Sequence, residues 1–181
     1  AKIWGTFVDS TLAHTTLYNW LLRASLNPDD LDTQCHAHLL AQRLQLGWEP
    51  QLDAPLLLAL LEHYFPQCIG QTPIVLPING AILPLNRLDE VTDLVQLLND
   101  YSLQKDLLSE WRIQCIAQAC LLPNHLWEDL GLSDRAQLSH LMHCHFPVLY
   151  ARNQGMRWKK FFYKQLCERE EIFICRAPSC Q

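Results

Sequence analysis

The stretch Asn-Arg-Leu-Asp-Glu-Val-Thr-Asp-Leu-Val-Gln-Leu-Leu-Asn-Asp-Tyr, residues 86–101, decides the fold. Leu88, Val91, Leu94, Val95 and Leu98 recur at steps of three and four, and Asp89, Glu90 and Asp93 fall outside that stripe. A period near 3.6 with one apolar face predicts an amphipathic helix that buries one side. The pattern repeats downstream, where Leu108, Trp111, Cys115, Ala119 and Leu122 predict a helix over 105–121, stopped by Pro123. Two short helices follow, over 124–130 and 134–145, around Gly131 and a cap at Ser133, and another covers 156–170. Upstream, Leu12, Thr16, Leu17, Trp20 and Leu21 predict a helix over 11–24, capped by Ser10 and ended by Asn27 and Pro28. A second runs over 34–46 after the acidic Asp29, Asp30 and Asp32; a third starts at Asp53, with Pro55 in its first turn, and ends near Phe65.

Composition agrees with this reading. The chain holds 35 Leu against 14 Val plus Ile, and straight or γ-branched side chains suit helices where β-branched ones suit strands. At 181 residues it fits one domain, and 49% apolar residues suffice for a core. The expectation is an all-α, single-domain irregular bundle of about seven or eight helices over 1–181. A Pro-rich loop at 66–86 and an extended, cysteine-bearing tail at 167–181 complete it. The uncharged run 66–86 is long enough to cross a bilayer, but Pro66, Pro73, Pro77 and Pro84 make it a loop, so no membrane span is expected.

A net charge of −5 argues against nucleic acid as a partner. That average hides a split. Residues 1–151 hold seven basic and sixteen acidic groups, whereas 152–181 hold seven basic and three acidic ones. No charged segment followed by an apolar core opens the chain, and the cytoplasm with reduced thiols is the expected location. The first residue is Ala1 rather than Met, so a removed segment stays open.

No glycine-rich phosphate loop, G-x-S-x-G elbow or H-E-x-x-H helix is present, which leaves hydrolase and NTPase chemistry without support. His140 and Cys144, four apart on one helix with His143 and His145 nearby, have metal-ligand spacing, although such imidazoles also stand in solvent. Cys35 with His36 and His38 is weaker, because helical neighbours two apart point to different sides. Cys115 and Cys120, five apart, diverge by about 140° on a helix and read as buried thiols. Cys175 and Cys180 bracket a turn-compatible Arg-Ala-Pro-Ser, with Cys167 upstream. Thiolates are the ligands of iron–sulfur clusters, and nearby cations favour them. Arg157, Lys160 and Lys164 recur on one helix face, and Arg176 follows; such a field also draws molybdate or another oxyanion. A solvated basic face with ordinary thiols, a structural zinc site and a redox-active thiol pair are the alternatives.

The run C-L-L-P-N-H-L-W-E-D-L-G-L from Cys120 to Leu132 resembles the nitrogen fixation proteins of the NifQ family. Asp134, Arg135, Leu138, Leu141, Met142, Phe146, Pro147, Leu149 and Asn153 continue the likeness, as does M-R-W-K-K-F-F-Y-K-Q-L-C from Met156 to Cys167. Cys175 and Cys180 match the opening of that family's C-x4-C-x2-C-x5-C motif, whose third and fourth positions fall beyond Gln181. The resemblance implies a carrier without substrate turnover. It implies a molybdenum-containing iron–sulfur cluster, with molybdate as the incoming species, and delivery of molybdenum to FeMo-cofactor biosynthesis. The implied partners are the nitrogenase cofactor assembly scaffold and the nitrogenase iron protein. Cys175 and Cys180 are then cluster ligands, with Cys167, His125, His140 and Cys144 as further candidates and Arg157, Lys160, Lys164 and Arg176 as anion or partner contacts.

Overall fold

A computed structural model describes residues 10–46, 54–71 and 85–169 of the chain. Among the described residues there are nine α-helices and no strand: α1 (Ser10–Arg23), α2 (Leu31–Leu46), α3 (Ala54–Tyr64), α4 (Leu88–Tyr101), α5 (Leu107–Ala119), α6 (Leu126–Asp129), α7 (Arg135–His145), α8 (Pro147–Arg152) and α9 (Trp158–Arg169). The fold is all-α. The helices gather into two compact units, Ala1–Ile82 and Leu83–Gln181, with the boundary inside the Pro-rich segment.

In the first unit α1 packs against α2. Leu17 and Leu21 of the α1 stripe are buried, as are Cys35, Ala37, Leu39 and Leu40 of α2. Burying each such Leu is worth about 1.5–3 kcal/mol. Two boundaries differ from the expectation. Ser10 is itself helical rather than a cap. The second helix begins at Leu31 because Asp30 caps it, its carboxylate accepting from the Thr33 N–H and hydroxyl at 2.8 Å each. Pro66–Cys68 opens the expected loop as a 3₁₀ turn, tied back by the Gln67 N–H to the Ala24 carbonyl at 3.2 Å.

The second unit is built on α4 and α5, which pack together, with α9 against α4 and α6, α7 and α8 following round. The buried side of α4 is Leu94, Leu97 and Leu98, so Leu97 takes the place in the stripe that Leu88, 48% exposed, does not fill. A 3₁₀ turn, Leu85–Arg87, precedes α4. Helix α5 is buried on nearly every side and starts at a capping box, with the Asp106 carboxylate accepting from the Ser109 N–H and the Ser109 hydroxyl accepting from the Asp106 N–H. The cap of α7 is Asp134, which accepts from the Gln137 N–H at 2.9 Å, and not Ser133. Gly131, at φ +75°, ends α6 as expected, since only glycine takes that backbone without strain. Pro147 occupies the first turn of the unexpected α8.

Candidate functional site

A buried carboxylate, Asp129, and the polar groups around it organise the second unit where α4, α6 and α9 meet the 120–125 segment. Lys159 of α9 donates to the Leu122 carbonyl at 2.6 Å and to Asp129 Oδ2 at 2.5 Å. Asp129, with a side chain 4% exposed, accepts two more bonds, from the backbone N–H and side-chain amide of Asn124 at 3.1 and 3.2 Å. Asn124 is thus a strut to Asp129 and not the cap of α6; His125 sits at that position, its N–H donating to Glu128 at 2.9 Å. These donors satisfy the hydrogen-bonding needs of the buried carboxylate.

Beside it, Arg87 grips Glu90 with Nε and Nη2 at 2.8 and 2.7 Å, reaches the Tyr163 hydroxyl at 3.0 Å and the Leu121 carbonyl at 3.4 Å. The Tyr163 hydroxyl donates onward to Glu90 at 2.8 Å. The bond to Glu90 is the main influence raising the Arg87 guanidinium further above its ordinary value. Burial, then the bond to Glu90, pushes the Tyr163 phenol well up, so it stays protonated at neutral pH. Burial also lifts the adjacent Cys120 thiol to about 12.

Arg87, Cys120, Asn124, Lys159 and Tyr163 form one side of a cleft of about 1440 Å³ within the second unit. His125, Arg135, Arg157 and Lys160 line it, with Trp127, Tyr150 and Trp158 as aromatic walls. Arg135, Arg157 and Lys160 are exposed, and none pairs with a carboxylate among the described residues. The rings of Tyr150 and Trp158 stack at 6.5 Å between centroids. On the same helix Lys164 points elsewhere, exposed and 3.7 Å from Glu168. The predicted basic face of α9 therefore divides: Arg157 and Lys160 reach the cleft, and Lys164 does not. Lys159 and Arg135, which helical spacing did not single out, belong to it.

Among the described residues, His140, Cys144 and Cys167 do not line this cleft. His140 Nε2 and Cys144 Sγ touch at 3.4 Å on α7, half-buried, as the four-residue spacing predicts. His143 is exposed with its ring edge-on to Tyr150, while His145 is buried. In the first unit His36 donates to the Asp32 carbonyl at 2.7 Å and stacks on Tyr64, whereas His38 bonds His14 at 3.0 Å and stacks on Tyr18. Those partners send the two histidines to different sides of α2. Cys35, Cys68, Cys115 and Cys120 are buried, and burial lifts Cys68 to about 11. Cys144 and Cys167 are half-buried. Cys175, Arg176 and Cys180, with the tail expected from Ile172, lie outside the described residues.

A sequence profile of the NifQ family matches residues 30–181. The chain belongs to the NifQ family. It is 41% identical over 131 residues to Protein NifQ of Azotobacter vinelandii, covering 67% of each chain. It is 45% identical over 104 residues to a NifQ homolog of Sinorhizobium fredii, covering 52% of this chain and 45% of that one. Protein NifQ of Klebsiella pneumoniae is 54% identical over 70 residues, 37% of this chain and 41% of that protein. The chain thus spans two thirds of the Azotobacter relative and less than half of the other two. No solved structure matches it. NifQ membership assigns the chain a role in nitrogen fixation, in nitrogenase cofactor biosynthesis. No helix among the described residues is long and apolar enough to cross a membrane.

Proposed function

We propose that this NifQ-family chain is a cytoplasmic carrier that supplies molybdenum for nitrogenase FeMo-cofactor biosynthesis. It takes the metal up as molybdate, holds it in an iron–sulfur cluster and releases it to the cofactor assembly scaffold, with the nitrogenase iron protein as a further partner. It turns over no substrate of its own. The cargo is the cluster, and its ligands are Cys175 and Cys180, with Cys167 next in reach along the chain.

The distribution of the cysteines carries this reading. A cluster needs deprotonated thiols that the incoming metal can reach. Cys68 and Cys120 are excluded by burial that holds them protonated, and Cys35 and Cys115 are equally shut away. What remains is Cys144 on α7, Cys167 at the end of α9 and the tail pair. The tail pair also begins the cysteine motif of the family resemblance, inside the segment that the NifQ profile matches.

The test is metal analysis of the complete natural protein isolated without oxygen. Iron, sulfide and molybdenum are expected together, and Cys175→Ala or Cys180→Ala should lower all three while the helical circular dichroism is unchanged. Stoichiometric zinc with neither iron nor molybdenum would replace this reading by a structural zinc site. A thiol count that drops on mild oxidation in metal-free protein would replace it by a redox switch.

A further inference from the structure

The cleft of the second unit has a lining whose chemistry points to a class of ligand other than a metal cluster. Against one lining acid, the exposed Glu128, which accepts the His125 N–H, stand several lining cations; the acids behind the wall are paired, Glu90 with Arg87 and Tyr163 and Asp129 with Lys159 and Asn124. The cations at its rim are not. Arg135, Arg157 and Lys160 are exposed and pair with no carboxylate among the described residues, in a chain whose net charge is −5. Three such groups lining one cleft give it a positive field that favours an anionic ligand.

Size selects among anions. At about 1440 Å³ the cleft exceeds the roughly 300–1,000 Å³ of sites that enclose small molecules. A tetrahedral oxyanion would fill a small corner and leave the aromatic walls wet. Nucleic acid meets a chain of the wrong overall sign. A polypeptide segment fits the volume and uses both kinds of wall, since Arg, Tyr and Trp side chains are the groups enriched where proteins bind each other. Tyr150 is exposed on α8, so part of this apolar wall stands open to a partner.

We propose that this cleft is the docking site for an acidic segment of a partner protein. Its carboxylates are taken by Arg135, Arg157 and Lys160, and an apolar side chain beside them lies against Tyr150 and Trp158. The partner is recognised by clustered Asp or Glu flanking at least one aromatic or aliphatic residue, as in other Arg-lined acidic-motif sites. The docking does not depend on which metal the tail holds.

The test selects dodecapeptides from a random displayed library on the complete protein, then measures the enriched peptides by fluorescence anisotropy. Enriched sequences are expected to be acidic with an embedded apolar residue. Their affinity should fall at least about tenfold with Arg157→Glu or Lys160→Glu, and less steeply with the milder Arg157→Gln, Lys160→Gln and Tyr150→Ala. Lys164→Glu is the control, because that residue is on the same helix outside the cleft; the change in affinity there should stay within about twofold. Peptides without acidic character, or acidic peptides that lose as much affinity with Lys164→Glu as with Lys160→Glu, would overturn the proposal. So would displacement of the peptides by equimolar molybdate, sulfate or single-stranded DNA, which would reassign the cleft to those ligands. Iron and molybdenum contents of the cleft variants separate this result from the cluster reading, since only the cysteine substitutions should change them.

Discussion

Two residues in the second unit behave against their usual chemistry because of where they are held. Cys120 lines the cleft and yet its thiol sits near 12, since burial disfavours the thiolate more than Lys159 favours it. With Cys68 near 11, both should resist iodoacetamide at pH 8 in folded protein, while the half-buried Cys144 and Cys167 react. Mass spectrometry of native and denatured protein checks this; labelling of native Cys120 as fast as Cys167 would refute it. Lys159 is the other case, spent on Asp129 and the Leu122 carbonyl instead of on solvent. Lys159→Ala leaves a buried carboxylate with its amide donors alone, and should cost about 2–4 kcal/mol in urea unfolding. Adding Asp129→Asn to that variant should restore part of the loss; a single variant within about 0.5 kcal/mol of wild type would show that the pair is not structural.

Pairs of helices are joined by contacts that respond to acid. Arg169 near the end of α9 meets Asp100 near the end of α4, and the bond to Arg169 is the first cause holding the Asp100 carboxyl below its ordinary value. A depressed carboxyl contributes stability that is complete above its unfolded value near pH 4 and is lost as pH falls through its lower folded value. Wild type should therefore melt above Asp100→Asn by a small constant margin from pH 7 to about pH 5, with the margin closing below about pH 4. A margin that widened on acidification would contradict the assignment. At this scale much could be read in advance, because periodicity alone locates α4, α5, α7 and α9 to within a few residues. The errors are local and have physical causes. Helix α8 was not expected, and it starts at Pro147, whose missing N–H makes it a good first residue. Ser133 and Asp134 are both capping types, and only backbone geometry decides that Asp134 serves.

For the molecule as a whole, the basic character of residues 152–181 was legible as composition, but its use was not. Helical spacing groups Arg157, Lys160 and Lys164, whereas packing sends two of them to the cleft and leaves the third with Glu168. Arg135 joins from α7, and Arg87 and Tyr163, 76 positions apart, meet at the floor. No local pattern announces partners so distant in sequence. Cys115 and Cys120 are buried as their spacing implies, while Cys175 and Cys180 stand in the stretch that the NifQ profile matches and outside the described residues.

Arg87 has a consequence for how the cleft can deform. One flat guanidinium head ties the entrance of α4 to Glu90, to the phenol of α9 and to the carbonyl that follows α5. A lysine at that position has no fork with which to hold the same set of oxygens, so the three strands of chain would drift independently. With the arginine in place one side chain fastens those segments together at the cleft wall, so that wall keeps its outline through a bracket made by a single residue.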